Sequence, residues 1–324
     1  MAVELLPGIG VGHVTHDATG VTAVACPAGA FAAVDVRGGG PGTRETDLLE
    51  AHNTVQQVHA VMLAGGSAYG LAAADGAMQE LERQGIGFKV LDDVADSPIV
   101  PIVPAAVIFD LLVGDPSIRP TAEDGAEAVR RACSVLDQEG AGASVSVGEG
   151  ASCGSVGAGR GATAGVVRGG YGQATVTSVE GYSVAACVVA NPVGSVVDPN
   201  TGAVYCRPNE HVDLDAFKAL PPLGTKLNTT IGVVATDAPL TKAQAKRLAM
   251  CAHDGLARAV RPSHSPLDGD TFFALATGDG RGVNIPTLGA LCVSAADAVS
   301  EAIAQAIFNA EPGENQTSLK EILK

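Results

Sequence analysis

The chain has 324 residues, 46% of them hydrophobic and 17% charged, with a net charge of −15 and a mean hydropathy of +0.24. That composition supports a large core and excludes a disordered chain, while the acidic balance excludes a nucleic-acid binder, which needs a basic footprint. Scarce aromatics (3%, no Trp) beside 41 glycines point to close backbone packing, as in layered sheets faced by Ala-rich helices.

The N-terminal stretch MAVELLPGIGVGHVTHD lacks a basic n-region and a long apolar h-region, so no secretory signal is expected. No apolar run free of Gly, Pro and charge approaches the ~20 residues of a membrane span. Seven cysteines, at 26, 133, 153, 187, 206, 251 and 292, are odd in number and scattered, without CxxC or zinc-knuckle spacing. They read as reduced, mostly buried side chains of a cytoplasmic protein.

Along the chain, residues 9–36 carry short β-type runs, IGVGHV, VTAVAC and AFAAVDV, separated by Gly, Pro and Asp. The glycine-rich loop RGGGPGTRETDLL (37–49) leads to a short helix, and VHAVMLAGG reads as a buried strand. Leu71, Ala74, Met78 and Leu81 then recur at helical spacing. Pro98, Pro101 and Pro104 break the apolar run at 97–111, which makes it an edge or irregular strand. An amphipathic helix follows at 121–136, and 143–206 reads as antiparallel strands. Residues 207–226, polar and Pro-containing, are expected to be a linker. Thr241 and Gln244 match a capping box ahead of a helix, 271–278 is a strand, and 286–310 is an Ala-rich helix. The tail from Glu311 is expected at the surface. Elements grouped in this way, not strictly alternating, favour stacked sheets with helices outside.

Three motifs that suggest binding sites lack the context those sites need. Gly159-x-Gly161-x-x-Ala164 is a loose dinucleotide fingerprint, but strand and turn residues follow where a helix is needed. His13 and His16 have no third metal ligand nearby and read as surface or hydrogen-bonded histidines. Asp268 and Asp270, in SPLDGDTFF, lack the other ligands of a calcium loop. They read as a turn before a strand, or as carboxylates that orient a catalytic amine or proton.

The stretch LNTTIGVVATDAPL (227–240) sets a polar triplet at the mouth of an apolar strand. A turn, a glycosylation sequon and a self-cleavage site all fit; Asn315-Gln316-Thr317 is a second formal sequon. The third reading has the most chemistry behind it. A Thr hydroxyl can attack the preceding carbonyl, giving an ester that water hydrolyses. Thr229 would then carry a free α-amine with a reference pKa of about 7.7–8.0, suited to act as base for its own hydroxyl.

The segments RGGGPGTRETDLL, LAGGSAYGLAAADG, VPIVPAAVIFDL, GAGRGATAG, ANPVGSVVDPNTG, NTTIGVVATDAPL and AHDGLARAVRPSHSPLDGDTFFALATG occur in that order. Together they resemble the L-aminopeptidase/D-esterase (DmpA-type) family of self-processing hydrolases, which includes β-peptidyl aminopeptidases and nylon-oligomer hydrolase. The resemblance spans residues 9 to 305. It implies an α+β fold, a four-layer αββα sandwich forming one domain. It further implies cleavage between Asn228 and Thr229 into chains 1–228 and 229–324, which stay together and form oligomers of heterodimers. Thr229 matches the family nucleophile, Tyr69 and Asn191 its oxyanion and substrate-positioning groups, and Asp268 and Asp270 the pair that orients the new amine. Many relatives have a Lys where this chain has Arg168, a candidate replacement in substrate positioning.

The expected function is therefore an N-terminal-Thr amidohydrolase or aminopeptidase acting on small peptides or peptide-like amides through an acyl-enzyme. No metal or organic cofactor, nucleic acid or membrane is implied. The alternatives are an acyltransferase of the related ornithine acetyltransferase type and an uncleaved, non-enzymatic member of the fold.

Overall fold

The computed structural model describes residues 2–91, 94, 97–137, 153–221, 228–313 and 316–324. Ten strands form one continuous hydrogen-bonded sheet: β1 (Ala2–Leu6), β2 (Ile9–Thr15), β3 (Gly20–Val36), β4 (Thr43–Arg44), β5 (Gln57–Ala64), β6 (Ala105–Val107), β7 (Gly170–Thr177), β8 (Ser183–Ala190), β9 (Ile231–Thr236) and β10 (Thr271–Ala276). The main path runs β7-β8-β9-β10-β3-β5-β6-β4, with β1 and β2 branching from β3. Four long helices pack on it: α1 (Ala73–Arg83), α2 (Ala122–Ser134), α3 (Lys242–Ala259) and α4 (Ile285–Asn309).

The sheet folds into two layers because β3 serves both. Its first half pairs with β2, its second half with β10, and β5 pairs on both sides of a register shift between Ala25 and Ala30. Pro27 and Gly29 lie in that interval. The sequence runs that read as separate strands at 21–26 and 30–36 are thus one 17-residue strand bent at an irregularity, a position that tolerates Pro and Gly.

Side-chain alternation then sorts the core into the interfaces of four layers. In β8, Val184, Ala186 and Val188 face the cluster shared with α3 and α4, while Ala185, Cys187 and Val189 face the cluster between the sheet layers. Val21, Ala23 and Ala25 of β3, with Ala60, Met62 and Ala64 of β5, pack instead on α1 and α2. Every strand between two apolar layers must be apolar on both faces, which accounts for the continuous hydrophobic runs. The result is the expected α+β, four-layer αββα sandwich.

The capping box of Thr241 and Gln244 starts α3, and Asn284 caps α4 by accepting the Thr287 N–H at 2.9 Å. Helix α4 is long and apolar enough by composition to cross a membrane. Its buried residues, Leu291, Val299, Ile303 and Ile307 among them, sit in the core shared with α3 and the sheet.

Other expectations need correction. Within 207–226, Arg207–His211 is a strand and Leu214–Ala219 a helix capped by Asp213, with residues 222–227 outside the described set. Polar composition here marks a mostly exposed segment whose few apolar side chains, Val212 and Phe217 with Ala216 and Leu220 beside them, reach the core. The tail is not wholly superficial: Leu319 is fully buried and Ile322 joins the same cluster. The reading of His13 and His16 as surface or hydrogen-bonded histidines holds, with His13 buried and bonded to Thr22 and His16 paired with Asp124 at 3.1 Å. Residues 143–152 and Asn315 lie outside the described residues.

Candidate active site

Strands β9 and β10 are parallel, with Ile231 beside Thr271, so the residues entering both strands emerge at one end of the sheet. Asn228 bridges Asp268 there. Strand β8 runs antiparallel to β9, Val189 opposite Ile231, so its exit delivers Ala190 and Asn191 to the same end. Three chain segments far apart in sequence thereby bring Asn191, Asn228, Thr229, Asp268 and Asp270 together. All five side chains are buried.

Thr229 is held at both of its flanking amides. Its own N–H donates to the Asn191 carbonyl at 2.8 Å, and the next N–H, of Thr230, donates to Asp270 Oδ1 at 2.8 Å. The Thr229 hydroxyl donates to the Asn228 carbonyl oxygen at 2.6 Å, which holds Oγ1 against the peptide group that precedes it. The Gly269 N–H donates to the same carbonyl oxygen at 3.1 Å. A carbonyl that accepts two donors is polarised, and a backbone N–H fixed there is suited to stabilise negative charge on that oxygen. The Asn228 side chain donates to the Pro192 carbonyl at 2.9 Å. Asn191 Oδ1 accepts the Thr163 N–H at 2.9 Å, which fixes the amide plane and turns Nδ2 towards the Phe109 carbonyl, 3.4 Å away.

The two carboxylates are cradled by consecutive amides. Ser265 N–H donates to Asp268 Oδ2 at 2.9 Å and His264 N–H to Asp270 Oδ2 at 3.0 Å. Asp268 also accepts the Val193 N–H at 3.0 Å, and Asp270 also accepts His264 Nδ1 at 2.9 Å. Burial, reinforced by the Asp270 charge, raises the Asp268 pKa above the ordinary value, against the opposing pull of its hydrogen bonds from Ser265 and Val193. Asp268 is thus a carboxyl biased towards taking up a proton, beside an N-terminal nucleophile candidate.

The glycine-rich loop after β3 closes the site from the other side. Gly40 N–H donates to the Asp268 carbonyl at 2.8 Å and Arg37 N–H to the Asp270 carbonyl at 2.9 Å. A Cβ on Gly38 would lie 2.3 Å from the Asp268 carbonyl oxygen, so backbone approaches backbone too closely for any side chain. A Cβ on Gly269 would lie 2.7 Å from both Thr229 Oγ1 and the Gly40 carbonyl oxygen. Between these loops a cavity of about 200 Å³ opens onto Asn228 and Thr229, walled by 40–42, 67–68, 107–109 and Leu267.

Two expected site residues are placed elsewhere. Ser67 and Ala68 line the cavity, but the Tyr69 ring is 61% exposed and stacks against the Arg119 guanidinium at 4.0 Å. Arg168 is buried, and its guanidinium donates to Gln316 and to the Arg160 carbonyl, tying the C-terminal segment to the loop that carries Arg160. Burial and the nearby Arg160 lower its pKa to about 10. Thr163, Gly269 and His264 carry roles that sequence reasoning did not assign. Thr163 sat inside the fingerprint-like GAGRGATAG, and the only signal for His264 was a histidine between prolines, six residues before Asp270.

Comparison with known proteins agrees with this architecture. The model of Peptidase family S58 matches residues 4–319. An uncharacterized aminopeptidase of Mycobacterium tuberculosis is 45% identical over 323 residues, covering 91% of this chain and 87% of that protein. A 6-aminohexanoate-oligomer endohydrolase of Kocuria sp. is 31% identical over 297 residues, covering 87% of this chain and 75% of that protein. The L-aminopeptidase D-Ala-esterase/amidase of Ochrobactrum anthropi, described as a variant of the Ntn hydrolase fold, superposes with a TM-score of 0.70 at 22% identity. That match covers 98% of this chain and 88% of the other. With the family model matched along nearly its whole length, the chain belongs to Peptidase family S58 and is a hydrolase of amide bonds.

Proposed function

We propose that the chain cuts itself between Asn228 and Thr229 and then acts as an N-terminal-threonine amidohydrolase on small peptides or peptide-like amides. The observation that carries this reading is the Thr229 hydroxyl, held 2.6 Å from the oxygen of the preceding carbonyl at the edge of a cavity. In the first step Thr229 Oγ attacks the Asn228 carbonyl carbon, and the Gly269 N–H stabilises the oxyanion. The C–N bond breaks, the amine nitrogen takes up the hydroxyl proton, and an ester links Asn228 to Thr229 Oγ. Water hydrolyses the ester, leaving a carboxylate on Asn228 and a free amine and hydroxyl on Thr229.

In turnover the new amine accepts the Thr229 hydroxyl proton as Oγ attacks a substrate amide. The acyl group stays on Oγ, the substrate's amine leaves with a proton, and water releases the acid. Asp268 and Asp270 hold the amine, and Asn191 positions the substrate. Chains 1–228 and 229–324 remain associated, because β9 and β10 of the second are central strands of the first chain's sheet. The aminopeptidase and oligomer-endohydrolase names of the relatives support amide bonds of peptides or peptide-like oligomers as the substrate class. Intact-mass analysis and N-terminal sequencing of the purified protein test the cut. The expected new terminus reads Thr-Thr-Ile-Gly-Val; a chain that stays whole while hydrolysing amides at full rate overturns the reading.

A further inference from the structure

His264 lies in the loop between α3 and β10 with φ +57°, a left-handed conformation that is unfavourable for a residue with a Cβ. Its effect is local and specific. The backbone N–H and the ring Nδ1 of this one residue converge on a single oxygen, Asp270 Oδ2, at 3.0 and 2.9 Å. The other oxygen of Asp270 accepts the N–H of Thr230, next to the candidate nucleophile, at 2.8 Å. Asp270 therefore links His264 to the main chain that carries Thr229.

The imidazole is held in turn. Its ring meets the His253 ring edge-on, centroids 4.8 Å apart, and His253 makes the same kind of contact with Phe272 at 4.9 Å. His253 donates from Nε2 to the Asp35 carbonyl at 3.0 Å. Burial keeps His253 neutral, with a pKa lowered to about 4. The charged groups around the stack are Asp270 on one side and Asp35, Arg37 and Lys246 on the other, with Arg37 and Lys246 paired to Asp35. The His264 contact with the Asp270 carboxyl is made through Nδ1. Its Nε2 is buried with no hydrogen-bond partner among the described residues, so the ring's polar contact is with Asp270.

We infer that His264 is a positioning residue for the Asn228–Thr229 site, its imidazole fixing the Asp270 carboxylate and, through it, the backbone beside Thr229. The inference rests on the reading of Thr229 as nucleophile and goes beyond it by assigning a histidine that touches neither the scissile bond nor the cavity lining. Catalysis that depends on placement loses about a hundredfold for a displacement near 1 Å, so removing the ring is expected to slow self-cleavage by about 10- to 100-fold.

The test measures the first-order appearance of the 229–324 fragment after cell-free synthesis of the full chain, with thermal unfolding of each variant in parallel. His264→Gly keeps the left-handed backbone and its N–H but removes the ring. His264→Asn keeps the backbone preference and offers a short side-chain donor, and added imidazole supplies the missing ring to His264→Gly. Slowed cleavage in His264→Gly, with an unchanged melting temperature and recovery in His264→Asn or with imidazole, is the expected result. Parent-rate cleavage in His264→Gly overturns the inference, as does a loss that neither the Asn variant nor imidazole restores. Thr229→Ala run alongside separates the two claims. If it still cuts at the same bond, the nucleophile reading fails; if it stays whole while His264→Gly cuts normally, only the role of His264 fails.

Discussion

Two buried polar clusters, one at the start of β3 and one at the entry to β9, differ in what surrounds them. At the start of β3, Thr22 Oγ1 bonds His13 Nδ1 at 2.9 Å and accepts the Ala158 N–H at 3.1 Å, with Tyr171 edge-on to the His13 ring at 4.6 Å. No carboxylate hydrogen-bonds to this group among the described residues, and burial lowers the His13 pKa to about 3. At the entry to β9, Thr229 stands beside two carboxylates and opens onto a cavity. Both regions contain a fully or almost fully buried threonine. The difference teaches that a buried hydroxyl needs a peptide carbonyl or substrate in reach, charge to manage protons, and space beside it before it can react. Without these it is a joint between layers.

The largest expected contrast comes from removing each hydroxyl. Thr229→Ala deletes the attacking atom, so the chain should stay whole by mass spectrometry and hydrolyse no amide, while Thr229→Ser should still cut. Next come the carboxylates. Asp268→Ala and Asp270→Ala should each lower turnover by about 10²–10⁴-fold, the usual loss for a proton-transfer or positioning group, with folding largely kept. Unchanged kinetics in both would return the pair to a simple turn.

Smaller effects sharpen the other side of the comparison. Thr22→Val leaves the Ala158 N–H and His13 Nδ1 without their partner, which should cost about 1–3 kcal/mol in urea unfolding. Self-cleavage should stay within about twofold of the parent, since neither group reaches Thr229; a block in cleavage would show that the two clusters are coupled. The gentlest probe is pH. His13 and His253 are held neutral in the fold, with pKa values lowered to about 3 and about 4 from 6.5. Below 6.5 the unfolded chain takes up protons that the folded chain refuses, so stability falls as pH drops from there towards those values. Each histidine contributes a slope of about 1.4 kcal/mol per pH unit in that window. Urea midpoints at several pH values should follow this direction, and His13→Gln should remove one histidine's share of the slope.

The sequence by itself determined the elements whose apolar pattern is enforced locally. The apolar run around Ile231–Ala235, the capping box at Thr241 and Gln244, and the helices at α2 and α4 all follow from residue type and spacing. The pairing of Thr229 with Asp268 and Asp270 was legible through the order of whole segments, which matched a family of known design. Bends and long-range contacts were not legible. Pro27 and Gly29 read as a strand end, yet the neighbouring strands β5 and β10 carry β3 through them from one layer to the other. Arg168 read as a candidate replacement for a family Lys, and its guanidinium bonds Gln316 in the C-terminal segment. Tyr69 matched an oxyanion or substrate-positioning group by resemblance, and the structure adds that it follows the left-handed Gly66 and Ser67 and is exposed beside Arg119. Only the tertiary structure placed His264 on Asp270 and Gly269 on the Asn228 carbonyl. Those contacts depend on the parallel alignment of β9 and β10 and on backbone turns, which long-range pairing fixes and local residue preference does not.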